Sequence, residues 1–259
     1  MVARPNPIRQ LTFDRLKVVV FSTRTELGQA AADEVAERID ALLRTQDTVR
    51  IVFAAAPSQN EFLASLATYT SLDWHRVEAF HMDEYLGLSN SAPTSFARFL
   101  KEHLFGRIPF GRIEYINGAA LDAQSECQRY AALLAEKPID ITCAGIGENG
   151  HMAFNDPPVA DFNDPLAIKV VEMDQVCRQQ QVHDGAFANL DAVPRRAITL
   201  TMPTLISARY IYCMVPGSTK TLAVKHTLQD QITTACPATI MRRHSAAILY
   251  LDSAVAALI

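Results

Sequence analysis

Apolar residues along this chain follow two alternating rhythms. Short unbroken runs are separated by stretches in which apolar positions recur every third or fourth residue. Lys17-Val18-Val19-Val20-Phe21 is an unbroken β-branched run, as expected of a strand covered on both faces. Thr23-Arg24-Thr25-Glu26 then reads as a capping box, a hydroxyl and a carboxylate three residues apart that each satisfy a free N–H of a first turn. Ala31, Val35, Ile39 and Leu42 continue at helical spacing. The same alternation predicts strands at Val49 to Ala55 and Val77 to Phe80. It predicts a helix carrying Phe62, Leu66 and Tyr69, and another carrying Phe96, Leu100 and Leu104 with Gly106 as its stop. A helix with Cys127, Tyr130 and Leu134 on one face runs into a strand over Ile139 to Cys143. Further strands are expected at Ala197 to Met202, Tyr210 to Val215 and Ala247 to Leu251, and helices starting near Asp174, Ser218 and Ser253. Strands alternating with helices in this way imply an α/β fold with a mostly parallel sheet and helices on both faces. No Pro-rich linker, repeat or charge block interrupts residues 1–259, so a single domain is expected.

In an open parallel sheet, ligands bind beyond the carboxyl ends of the strands. Polar and glycine-rich residues collect directly after four of the predicted strands: Ala56-Pro57-Ser58-Gln59-Asn60, His81-Met82-Asp83-Glu84-Tyr85, Gly145 to Asp156, and Pro216-Gly217-Ser218-Thr219-Lys220. Parallel strands put all four on one edge. Gly145, Gly147 and Gly150 spell G-x-G-x-x-G, yet Asn155-Asp156-Pro157-Pro158 stands where a dinucleotide fold needs a helix, so nucleotide binding is disfavoured. The reading that remains is a loop whose glycines let backbone N–H groups and His151 approach a ligand closely. One of Asp83 and Glu84, partly desolvated at this edge, suits the movement of a carbon-bound proton. Histidine as a residue type suits acid/base work, and His151 lies on the same edge. Two helix N-termini, at Ser58-Gln59-Asn60 and at Gly217-Ser218-Thr219-Lys220, make an anion site together with the lysine.

Composition narrows the classes without adding chemistry. Lys plus Arg is 24 and Asp plus Glu is 28, a formal net charge of −4, which gives no electrostatic footprint for nucleic acid or an anionic membrane. Hydrophobic residues make up 49%, enough for a full core, and no uncharged apolar stretch approaches the length of a membrane span. Met1-Val2-Ala3-Arg4-Pro5-Asn6-Pro7 has no apolar signal segment. Cys127, Cys143, Cys177, Cys213 and Cys236 are odd in number and widely spread, which fits free thiols in a reducing cytoplasm. No His/Cys/Asp cluster has metal-ligand spacing, and no metal is expected.

Phe80-His81-Met82-Asp83-Glu84-Tyr85-Leu86-Gly87-Leu88 and Gly145 through Pro157 resemble the two signature stretches of the glucosamine-6-phosphate deaminase (isomerase) family. Ala197 to Met202 and Gly217-Ser218-Thr219-Lys220 match in the same order, so the resemblance covers nearly the whole chain. The sister group of 6-phosphogluconolactonases shares the Gly-x-Gly-x-x-Gly-His loop but lacks the Ala153-Phe154-Asn155-Asp156-Pro157 type of continuation. The resemblance implies a Rossmann-like sheet that converts an amino-sugar phosphate to a ketose phosphate and ammonia without a cofactor. By that resemblance Asp83 matches the base that shuttles a proton between C2 and C1, His151 the ring-opening histidine, and Lys220 a phosphate-binding lysine.

Four departures stand out. Asn149 and Asp156 occupy positions where the family has Asp and Glu in support of the histidine. The phosphate loop, usually rich in Thr and Gly, reads Pro57-Ser58-Gln59-Asn60. An arginine that contacts phosphate falls on Gln181, with Arg178 one turn away. These changes predict less negative charge around His151 and a weaker phosphate clamp. They leave open a different or unphosphorylated sugar, or a sugar-binding protein without turnover. A homo-oligomer also stays open, since the family includes monomers and larger assemblies.

Overall fold

Apolar β-branched runs need cover on both faces, and the computed structural model, which describes residues 4–259, provides it with one large sheet between two helical layers. Met1 to Ala3, part of the stretch expected to lack a signal segment, lie outside the described residues. The strands of the large sheet are β1 (Arg9–Phe13), β2 (Leu16–Phe21), β3 (Val49–Phe53), β4 (Val77–His81), β6 (Arg112–Glu114), β7 (Ile141–Ala144), β10 (Tyr210–Val215) and β11 (Ala247–Asp252). Their order is β1-β2-β11-β10-β7-β3-β4-β6, and β1 alone is antiparallel to its neighbour. β5 (Asp83–Tyr85), β8 (Ile168–Glu172) and β9 (Arg196–Leu200) form a second, antiparallel sheet in the order β5-β9-β8.

The helices are α1 (Arg24–Leu43), α2 (Asn60–Leu66), α3 (Phe96–Leu100), α4 (Ala123–Ala135), α5 (Gln175–His183), α6 (Met202–Ile206) and α7 (Thr221–Gln229). One core joins the sheet to α1, α2 and α3 through residues such as Val35, Phe62 and Leu100. The other joins it to α4, α6 and α7 through Tyr130, Leu205 and Val224. The capping box at Thr23 and Glu26 forms in both directions, with bonds of 3.2 and 3.1 Å. Asp174 caps α5 by accepting from Val176 N at 2.9 Å.

Three expectations are revised. The strand expected over Ala197 to Met202 ends at Leu200, and it pairs with Asp83–Tyr85 and Ile168–Glu172 rather than joining the parallel sheet. Asp83 and Glu84, expected beyond the end of a strand, are thereby themselves strand residues. The helix expected near Ser253 is only a 3₁₀ turn over Val255–Leu258. No helix among the described residues is long and apolar enough to cross a membrane.

Candidate active site

The carboxyl ends of β2, β3, β4, β7 and β10 converge on one cavity of about 680 Å³. Its walls include Arg24, Ser58, Asp83, His151, Gln181 and Lys220. Successive side chains of a strand point to opposite faces, and β5 uses this to separate two neighbouring acids. Asp83 lines the cavity. Glu84 turns away and accepts backbone N–H bonds from Tyr85, Phe96 and Ala97 at 2.9, 3.1 and 2.9 Å, capping α3. Burial pushes the Asp83 carboxyl well above the ordinary range, and the Glu84 charge adds to the rise. Burial also raises Glu84, to about 7, against the pull of its three backbone donors.

His151 sits in the glycine loop after β7. Its Nδ1 faces Asn149 Oδ1 at 2.7 Å and Asp156 Oδ1 at 3.0 Å. The Asn149 amide in turn donates to Asp156 Oδ1 at 2.9 Å. With acceptors on that side, Nδ1 carries the proton, and Nε2, with Cys177 Sγ 4.0 Å away, can accept from a substrate atom. Burial alone would raise the Asp156 carboxyl, but His151 and the Asn149 amide outweigh it and hold that carboxyl below its ordinary value. An ionised partner therefore stays beside the imidazole despite both departures. Asn149 supplies geometry, and Asp156, though shorter than Glu, reaches the ring. The reach comes from Asn155, which donates to Met152 O and Leu200 O at 3.0 and 2.8 Å and pins the turn to β9. Asn149 and Asp156 stand behind the histidine and do not line the cavity.

Gly147 makes this packing feasible. A Cβ built there would lie 2.0 Å from the imidazole, so only glycine allows the ring to lie flat against the loop. The Gly147 N–H donates to His151 O at 2.9 Å, closing the turn.

On the opposite wall, Gln59 is fully buried and donates to Ser58 Oγ at 3.0 Å and Met214 O at 3.2 Å. Ser58 accepts that bond and keeps its own O–H for a ligand. Asn60 begins α2 and does not line the cavity, so it departs from the group expected at this strand end. Lys220 is buried and donates to Glu148 Oε1 at 3.3 Å. Gln181 accepts from the Tyr85 hydroxyl at 2.5 Å. Arg178 is spent elsewhere, donating to Leu190 O and Val193 O at 2.6 and 3.0 Å, and does not line the cavity. His81, at the end of β4, is fully buried; it accepts from Ile116 N at 2.7 Å, and burial pushes its pKa down to about 3. It is a neutral structural group.

Ligand atoms of His151, Asp156 and Cys177 lie within 4.8 Å of one another, a juxtaposition that sequence spacing does not reveal. Asp156 is already held by the histidine and Asn149, and burial pushes the Cys177 thiol well up, so the trio serves as a hydrogen-bonded support for the imidazole. All five cysteines are free and buried. Arg24, Ser95, Gln181 and Asp184 are among the wall residues outside the four strand-end segments; Arg24 comes after β2, and the same strand-end logic applied to that strand reaches it.

The family model describing glucosamine-6-phosphate isomerases/6-phosphogluconolactonase matches residues 22–250. A glucosamine-6-phosphate deaminase of Bacillus thuringiensis (strain Al Hakam) is 34% identical over 229 residues, 88% of this chain and 84% of that protein. The deaminase of Bacillus anthracis (strain A0248) matches to the same extent. Among solved structures, a monomeric glucosamine-6-phosphate deaminase superposes with a TM-score of 0.86 at 28% identity, over 93% of this chain and 99% of that one. The 6-phosphogluconolactonase of Trypanosoma brucei shares the fold, with a TM-score of 0.78 at 19% identity over 95% and 99% of the two chains. With the match spanning nearly all of the described residues, the chain belongs to the glucosamine-6-phosphate isomerase/6-phosphogluconolactonase family.

Proposed function

We propose that the protein isomerises and deaminates an amino-sugar phosphate, turning glucosamine 6-phosphate and water into fructose 6-phosphate and ammonia. The observation that carries this reading is that Asp83, His151 and Lys220 line the same cavity. His151, presenting Nε2, passes a proton to the ring oxygen as the C1 hydroxyl gives one up, and the sugar opens to its aldehyde. Asp83 then removes the C2 proton while the C1 oxygen takes up a proton from the substrate ammonium, giving an enolamine, and Asp83 returns its proton to C1. Water hydrolyses the resulting C2 imine, releasing ammonia and leaving the ketose. A desolvated carboxylate is a strong base for such a carbon acid, and remote phosphate contacts hold C1 and C2 in place.

Ammonia release from glucosamine 6-phosphate is the direct assay. Wild-type protein is expected to turn over, and Asp83→Asn to lose about a hundred- to ten-thousandfold in kcat. Full activity in that variant would remove Asp83 as the base. The Lys220–Glu148 bond also favours a second reading, the same chemistry on an unphosphorylated amino sugar, because the carboxylate already offsets the lysine charge. Faster turnover of glucosamine than of its 6-phosphate in the same assay would select that reading.

A further inference from the structure

The lining of the cavity holds one lysine and one arginine, Lys220 and Arg24. Arg24 is the first residue of α1, directly after β2, and its side chain crosses to the chain entering α2. There Nη2 donates to Pro57 O at 3.0 Å and Glu61 Oε2 at 2.9 Å, and Nε lies 2.6 Å from Glu61 Oε1. These contacts use one side of the guanidinium fork and fix its plane beside Ser58. Nη1 makes no hydrogen bond to the described residues. The side chain remains 44% exposed, so the free edge is open to a ligand.

The opposite side of the cavity offers no such cation. Gln181 is tied to Tyr85, and Arg178 is bound to backbone carbonyls outside the cavity. A phosphate bound here would meet Lys220 and the Ser58 hydroxyl, and the planar fork of Arg24, the other cation in the lining, is suited to its oxygens. We propose that Arg24 is a phosphate-binding residue of this cavity and that Glu61 holds its guanidinium in place while weakening its grip on the anion. This inference rests on the reading of the substrate as a sugar phosphate.

The purely structural alternative is that the Arg24–Glu61 pair only fastens α1 to α2. The two variants Arg24→Gln and Glu61→Gln separate these roles, because they break the same ion pair yet are expected to move phosphate affinity in opposite directions. Inorganic phosphate is the probe, with its Kd measured calorimetrically on the full-length protein and thermal midpoints recorded alongside. Arg24→Gln should weaken phosphate by about tenfold or more and raise KM for glucosamine 6-phosphate by more than it lowers kcat. Glu61→Gln should tighten phosphate by about two- to fivefold, since it removes a competing carboxylate. Arg24→Lys should fall between wild type and Arg24→Gln, as it keeps the charge and loses the fork.

Equal phosphate affinity in wild type and Arg24→Gln would overturn the role of Arg24 and leave the sugar-phosphate reading standing. Equal weakening in Arg24→Gln and Glu61→Gln would assign the pair to fastening the helices. Failure of the folded wild-type protein to bind phosphate at all, with turnover of unphosphorylated glucosamine, would overturn both.

Discussion

Gly147 and His151 illustrate how closely single residues are fitted here. The ring occupies the space a side chain at 147 would need, and Asn149 and Asp156 hold it from the far side. Gly147→Ala should therefore displace the imidazole rather than unfold the protein, since the ring lines the cavity and can swing into it. Misplacement of a reacting group by about 1 Å costs roughly a hundredfold. Ammonia release should fall by about that factor, with the thermal midpoint little changed. Retention of full activity would mean that the position of His151 is not critical. The sequence departures matter less at this scale than their chemistry suggests: an amide at 149 keeps the hydrogen bonds, and Asp156 keeps the charge.

At the scale of elements, β5 and α3 are joined by a buried acid. Glu84 accepts the first free N–H groups of α3, which favours its ionised form, yet burial wins and raises its pKa to about 7. The folded state thus holds this proton more tightly than the unfolded chain, whose carboxyl titrates near 4.5. The contribution to stability is fully present below that lower value and is lost as pH rises through about 7. The loss is on the order of 3 kcal/mol. Chemical unfolding of wild type and Glu84→Gln across pH 5 to 8 measures it. The wild-type curve should fall more steeply with rising pH than that of the variant, whatever the variant loses overall. Parallel curves would show that Glu84 titrates normally.

Across the whole molecule, the parallel sheet explains why distant segments meet at one cavity, and it sets how much is legible in the chain alone. Asp83, His151 and Lys220 are legible because each comes directly after an apolar run, and parallel strands deliver the residues beyond their carboxyl ends to one edge. Arg24 also follows an apolar run, but its role is hidden, because the capping box accounts for the local sequence and gives no hint that the side chain crosses to Pro57 and Glu61. The choice between Asp83 and Glu84 is equally hidden. It depends on three-residue β5, too short to show an alternating pattern, pairing with β9 more than a hundred residues later. The second sheet escapes for the same reason: Ala197 to Leu200 is apolar enough to read as a strand but carries no mark of which sheet it joins.

The central claim is that Asp83 and His151 work on one sugar, with Asp83 moving the C2 proton. Proton NMR in D₂O, monitoring glucosamine 6-phosphate with wild-type and Asp83→Asn protein, tests it most directly. Wild-type protein is predicted to form fructose 6-phosphate and to exchange the C2 proton with solvent, with both processes lost together in Asp83→Asn. Undiminished exchange in that variant, or turnover of a phosphosugar lactone by a protein that never exchanges the C2 proton, would contradict it.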